Sequence, residues 1–165
     1  MIQKKICMLG SFAVGKTSLV RRFVESIFSE AYHTSIGVKV DKKVVRLDGQ
    51  DITLVLWDIH GEDIFQKLQI SYLRGMSGYL LVADGTRRQT LEDALALSNR
   101  VTETMGKIPA VLVLNKNDLV DQWEIEPQRE SQLAESGWSI FRSSARTGEH
   151  VEDVFASLAL SMLKK

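Results

Sequence analysis

Gly10-Ser11-Phe12-Ala13-Val14-Gly15-Lys16-Thr17 fits the spacing G-x-x-x-x-G-K-[ST] and stands between an apolar strand-like run and a helical stretch. Each residue type in it has a physical reason. Glycines let successive backbone N–H groups turn inward around phosphate oxygens, a helix N-terminus adds partial positive charge, and Lys16 can reach the outer phosphates. The Thr17 hydroxyl is a hard oxygen ligand of the kind Mg²⁺ takes. The plainer reading is a glycine-rich turn with a solvated lysine. It accounts for neither the complete spacing nor its strand-to-helix context.

A phosphate cradle does not name a base. Asn115-Lys116-Asn117-Asp118 does, because it follows the strand-like run Val111 to Leu114, at a carboxyl end where open α/β sheets bind ligands. A carboxylate there can accept from the two adjacent N–H donors of guanine, a pair that adenine lacks. The stem of Lys116 can lie along the ring. Alone, the tetrapeptide would read as a polar loop. About a hundred residues after the phosphate loop, it reads as the other end of a nucleotide site.

A third carboxylate lies in Trp57-Asp58-Ile59-His60-Gly61-Glu62-Asp63, directly after the apolar run Ile52 to Trp57. A strand delivers Asp58 to a turn. With Ser143-Ser144-Ala145-Arg146-Thr147-Gly148 closing the last strand, these motifs in this order resemble the small GTPases of the Ras superfamily, and most nearly its Rab-like branch. A prokaryotic-type relative fits too. The resemblance covers essentially the whole chain.

The resemblance implies a site residue by residue. Gly10, Ala13, Val14, Gly15, Lys16, Thr17 and Ser18 would surround the phosphates, and Asn115, Lys116 and Asp118 would hold guanine, aided by Ser144, Ala145 and Arg146. Phe28 would stack on the base. Thr17, Ser35 and Asp58 would hold Mg²⁺, Asp58 through a bound water, and the Gly61 N–H would sense the γ-phosphate. Lys16, Gly61 and Glu62 would serve the hydrolysis of GTP. Two departures bear on it. Ser35 replaces the threonine usual in the first switch, keeping the oxygen but losing a methyl group. Glu62 replaces the glutamine that usually positions the attacking water.

A glutamine amide can accept from that water and donate to the charge growing on the phosphoryl oxygens; an ionised glutamate can only accept. Glu62 also sets a negative charge beside a triphosphate, which calls for compensation by Lys16, Mg²⁺ or a cation such as His60. Phe12 stands where the family usually has a small residue, and its bulk would obstruct the transition state and an incoming arginine finger. Binding is thus expected more firmly than turnover. The alternative to a hydrolytic switch is a GTP-binding interaction module with negligible turnover. A small phosphate-transferring kinase fits worse, given the Asn115 to Asp118 motif and no arginine-rich lid.

The elements that must position these residues follow from hydrophobic periodicity. Strands are expected at Lys5–Leu9, Val38–Leu47, Ile52–Trp57, Tyr79–Ala83, Ala110–Leu114 and Ile140–Ser143, with a tight hairpin at Asp48-Gly49. Helices are expected at Gly15–Ser26, after Gly61, and at Leu91–Met105, Glu126–Ser136 and Glu152–Lys164, the third of these five capped by Thr90 and closed by Gly106. Arg87-Arg88 reads as a solvated turn. The fold class is α/β: one P-loop G domain over residues 1–165, with a six-stranded, mostly parallel sheet, one antiparallel hairpin strand and about five helices on both faces.

Composition agrees with a soluble globule: 165 residues, 44% hydrophobic, 25% charged. Lys plus Arg equals Asp plus Glu at 21 each, so no net field draws the chain to nucleic acid. The single cysteine, Cys7, reads as a core residue in a reducing, cytoplasmic setting. Neither end shows a signal core or a lipidation motif, so no intrinsic membrane anchor is expected. Val40, Trp57 and Tyr72 are expected to face effector proteins, or else to pack in the core. An exchange factor and an activating protein complete the partners that the resemblance implies. Trp123 and Trp138 read as packing residues.

Overall fold

The computed structural model describes residues 2–25, 38–59 and 70–164. Its elements run β1 (Ile2–Gly10), α1 (Lys16–Glu25), β2 (Val38–Leu47), β3 (Gln50–Ile59), β4 (Gly78–Asp84), α2 (Arg88–Met105), β5 (Ala110–Asn115), α3 (Pro127–Glu135), β6 (Ile140–Arg142) and α4 (Val151–Leu163). Short 3-10 turns lie at Ser71–Leu73 and Val120–Gln122. The sheet order is β2-β3-β1-β4-β5-β6. Among the described residues, only the β2–β3 pair is antiparallel. Its turn has φ of 50° at Asp48 and 78° at Gly49, the two positive values that a two-residue hairpin requires. The expected helix after Gly61 falls on residues 60–69, outside those described.

β4 and β5, like the second half of β1, are apolar up to their last residues because both of their faces are covered. Period-2 alternation divides them: Ile6, Met8, Leu80, Val82, Val111 and Val113 join the core under α1 and α4. Cys7, Leu9, Leu81, Ala83, Leu112 and Leu114 join the core under α2 and α3. Trp123 and Trp138 pack against that second core, as expected.

α1 buries Lys16, Leu19, Val20 and Phe23, the spacing of one helical face. On α4 the same logic selects Val151, Val154, Phe155, Leu158, Ala159 and Met162. The two helices meet where the Phe23 and Phe155 rings stack, centroids 3.9 Å apart and ring planes nearly parallel. Phe155→Ala should therefore cost about 3–5 kcal/mol of stability, read by denaturant unfolding. A loss under about 1 kcal/mol would mean that the cavity collapses freely.

Two local expectations are corrected. α2 starts at Arg88, so Thr90 lies inside the first turn and is not its cap. Its buried hydroxyl accepts the Asp84 N–H at 2.8 Å and donates to the Arg87 carbonyl at 2.7 Å, tying the helix start to the end of β4. Arg87 is not merely solvated either: its Nε donates to the Asp84 carboxylate at 2.9 Å. Among the described residues, no helix is long and apolar enough to cross a membrane.

Candidate functional site

Parallel strands end together, so β1, β4 and β5 deliver Gly10, Asp84 and Asn115 to one edge of the sheet, with Asp84 and Asn115 in register. β3 adds Asp58, paired with Met8 of β1. Of the expected residues, Gly10, Asp58 and Asn115 therefore converge by topology, joined by Asp84.

The phosphate loop has no room for larger residues at its two glycines. A Cβ on Gly10, whose φ is +152°, would stand 2.3 Å from the Val82 carbonyl oxygen. One on Gly15, at φ +104°, would stand 2.2 Å from Asn115 Nδ2. The second approach brings the base motif against the phosphate loop. Ala13 between them adopts φ +60°, a left-handed conformation uncommon for a residue with a Cβ. Val14 is buried in the core, so only its backbone faces the loop, and Ser18 is half-buried in the first turn of α1.

Lys16 projects from the core-facing stripe of α1 and is 7% exposed, its Nζ donating to the Gly10 carbonyl at 2.8 Å. Burial holds its ammonium below the ordinary lysine value, while the Asp58 charge pulls the other way. Such a cation is poised for an anion. Beside it the Thr17 hydroxyl donates to Asp58 Oδ2 at 2.5 Å, placing a hydroxyl and a buried carboxylate side by side. Among the described residues no cluster of three His, Cys, Asp or Glu could hold a metal. The Thr17 hydroxyl and the Asp58 carboxylate are hard oxygen donors, of the chemistry that suits a cation such as Mg²⁺.

At the base end, Asn115 is 2% exposed and uses both the nitrogen and the oxygen of its amide. Nδ2 donates to the Val14 carbonyl at 3.0 Å, and Oδ1 accepts from the Ala145 N–H at 3.2 Å and the Ser143 hydroxyl at 3.3 Å. One side chain thus stitches three loops together. Lys116, itself at φ +72°, sends Nζ to the Ala13 carbonyl at 3.1 Å. The Ser144 hydroxyl fixes Asp118 Oδ1 at 2.8 Å. Arg146 is exposed, and Arg22 of α1 donates to its carbonyl and to that of Ala145, the latter at 2.8 Å.

Sequence reasoning missed Asp84, Arg87 and Arg22. Asp84 is 1% exposed and receives Lys116 at 2.8 Å, Arg87 at 2.9 Å and the Thr86 N–H at 2.8 Å. Burial would raise its carboxyl, but the hydrogen bonds from Lys116, Thr86 and Arg87 together hold it below the usual carboxylate value. A signal was present: a carboxylate closing an otherwise apolar strand, two residues before Thr86 and three before Arg87.

Of the expected partner cluster, Val40 is 45% exposed and pairs with Trp57 across β2 and β3. The Trp57 and Tyr72 rings lie 6.2 Å apart, and Lys5 Nζ sits 3.6 Å over the Trp57 ring. Trp57 and Tyr72 are partly buried and pack against the core, in line with the packing reading of these two. Ile59 is buried in that core. Phe28, Thr34, Ser35, His60, Gly61 and Glu62 lie outside the described residues.

A model of the Ras family matches residues 5–164. The chain is 36% identical over 158 residues to the GTP-binding protein Rheb homolog of Dictyostelium discoideum, covering 94% of this chain and 85% of that protein. To the Ras-related protein Rab-4B of Homo sapiens it is 34% identical over 163 residues, covering 98% and 76%. To the Ras-related protein Rab-4 of Dictyostelium discoideum it is 35% identical over 164 residues, covering 98% and 80%.

Proposed function

Since the chain belongs to the Ras family of small GTPases, we propose that it is a guanine-nucleotide switch that binds GTP and GDP with Mg²⁺ and hydrolyses GTP to GDP. The observation that carries this reading is the stitching of the phosphate loop to the base motif through Asn115–Val14 and Lys116–Ala13. Phosphate recognition and base recognition then share one rigid frame.

In this reading the loop N–H groups and Lys16 receive the phosphates, and Asp118, held by Ser144, accepts from the guanine edge. Thr17, Ser35 and Asp58 would hold Mg²⁺, which would neutralise charge on the β- and γ-phosphates. Water attacks the γ-phosphorus as its bond to the bridging oxygen breaks, and Lys16 meets the charge that remains. Glu62 would accept a hydrogen bond from that water and so guide it. The segments Thr34–Val38 and Ile59–Arg74 would respond to the γ-phosphate and present Val40, Trp57 and Tyr72 to effectors in one state only.

A second reading has its own observation: Phe12 is 50% exposed on the phosphate loop, where its ring can obstruct the transition state and a helper's arginine. The chain would then be a GTP-binding interaction module with negligible turnover. Single-turnover phosphate release from the purified protein over a pH series separates the two. Release no faster than from a Lys16→Ala control would leave only the binding module. If Glu62 serves as the base, release rises with pH through the carboxylate range, and Glu62→Gln flattens that rise; an unchanged profile removes Glu62 from that role.

A further inference from the structure

Ala13 carries a left-handed backbone in the middle of the phosphate loop, at φ +60°, where a Cβ is strained. Something must hold it there. The two carbonyls flanking its Cα are both gripped: Arg87 donates to the Phe12 carbonyl at 3.0 Å, and Lys116 donates to the Ala13 carbonyl at 3.1 Å. Both cations meet on one oxygen of Asp84, Lys116 at 2.8 Å and Arg87 at 2.9 Å. That carboxylate is in turn fixed by the N–H and hydroxyl of Thr86, at 2.8 Å and 2.6 Å.

Fixing both peptide planes around one Cα fixes its φ and ψ. In a trans peptide the N–H points opposite to the C=O, so pulling these carbonyls outward aims the N–H groups of Ala13 and Val14 the other way, into the cradle. We infer that Asp84 and Arg87, acting with Lys116, brace the strained Ala13 peptide and thereby set how long a guanine nucleotide's diphosphate is retained. They are positioning residues, and the inference rests on the nucleotide-binding reading above. The brace also links the base motif to the phosphate loop through a side chain that belongs to neither.

Release of fluorescently labelled GDP, chased with excess unlabelled GDP, tests it on the intact chain. Arg87 is 46% exposed, so Arg87→Ala leaves the core intact and should speed release about ten- to a hundred-fold, the loss of one charge-assisted hydrogen bond. Arg87→Lys should recover part of that loss, and Asp84→Asn should match or exceed it. A role confined to the start of α2 would give the same losses whatever stands at position 13. Bracing predicts otherwise: in an Ala13→Gly background, where the left-handed conformation is unstrained, Arg87→Ala should speed release by less than about three-fold. Equal acceleration in both backgrounds overturns the brace, as does release at the parent rate from Arg87→Ala. A parent chain that never retains labelled GDP overturns the nucleotide reading and the brace with it.

Discussion

Lys16→Ala is expected to remove most of the affinity for GDP while leaving the nucleotide-free chain about as stable as before. The two effects part because Lys16 occupies the core-facing stripe of α1 as a charge that burial already disfavours. Without an anion, the folded state bears the cost of desolvating an ammonium, so its removal roughly offsets the lost packing of the aliphatic stem. With a diphosphate bound, the same ammonium is one partner of a buried charge pair, whose truncation costs about 2–5 kcal/mol. Titration calorimetry with GDP should show Kd raised about 30- to several-thousand-fold. Thermal melting of the nucleotide-free protein should shift by no more than a few degrees. Unchanged GDP affinity would take Lys16 out of the phosphate site.

The second large effect is one of selectivity. Asp118→Ala removes the carboxylate that Ser144 holds in place at 2.8 Å, and with it the two hydrogen bonds from guanine that the proposed reading gives it. Such bonds contribute about 1.5–3 kcal/mol each, so GDP should bind about a hundred- to ten-thousand-fold more weakly. ADP, which lacks the paired donors, should be affected little. Competition between the two nucleotides reads the ratio directly. A preference for GDP that survives Asp118→Ala would place base recognition elsewhere in the loop.

Much of this architecture was legible because it depends on side-chain type at short range. The hairpin at Asp48-Gly49, the six strands and the phosphate loop each carry a local signature. Strand ends were less legible: β1 begins at Ile2, before the apolar run, because Ile2, Gln3 and Lys4 are held by pairing with Ile52, Thr53 and Leu54. Backbone ladders extend past the hydrophobic pattern that announces them. Thr90 looked like a helix cap because its sequence context is that of one, yet the hydroxyl is spent on Asp84, a partner set by the strand-to-helix turn. Arg87 looked solvated for a similar reason: its second partner, the Phe12 carbonyl, lies 75 residues earlier in the chain. In the site, the sequence assigned Asn115 to the base; the fold adds that its amide joins Val14, Ser143 and Ala145. No local pattern encodes a contact that topology alone creates.

Cys7 has a practical consequence. It is the chain's single cysteine, fully buried in the middle strand β1, and burial pushes its thiol up to about 12 although Lys5 pulls the other way. Thiolate is the form that alkylating reagents attack, so the folded chain is inert to them near neutrality. Labelling therefore has to wait for β1 to leave the sheet, and the rate at which one thiol is consumed becomes a clock for the opening of the whole molecule. The same silence leaves a thiol introduced at any exposed position as the only one to react in the folded protein.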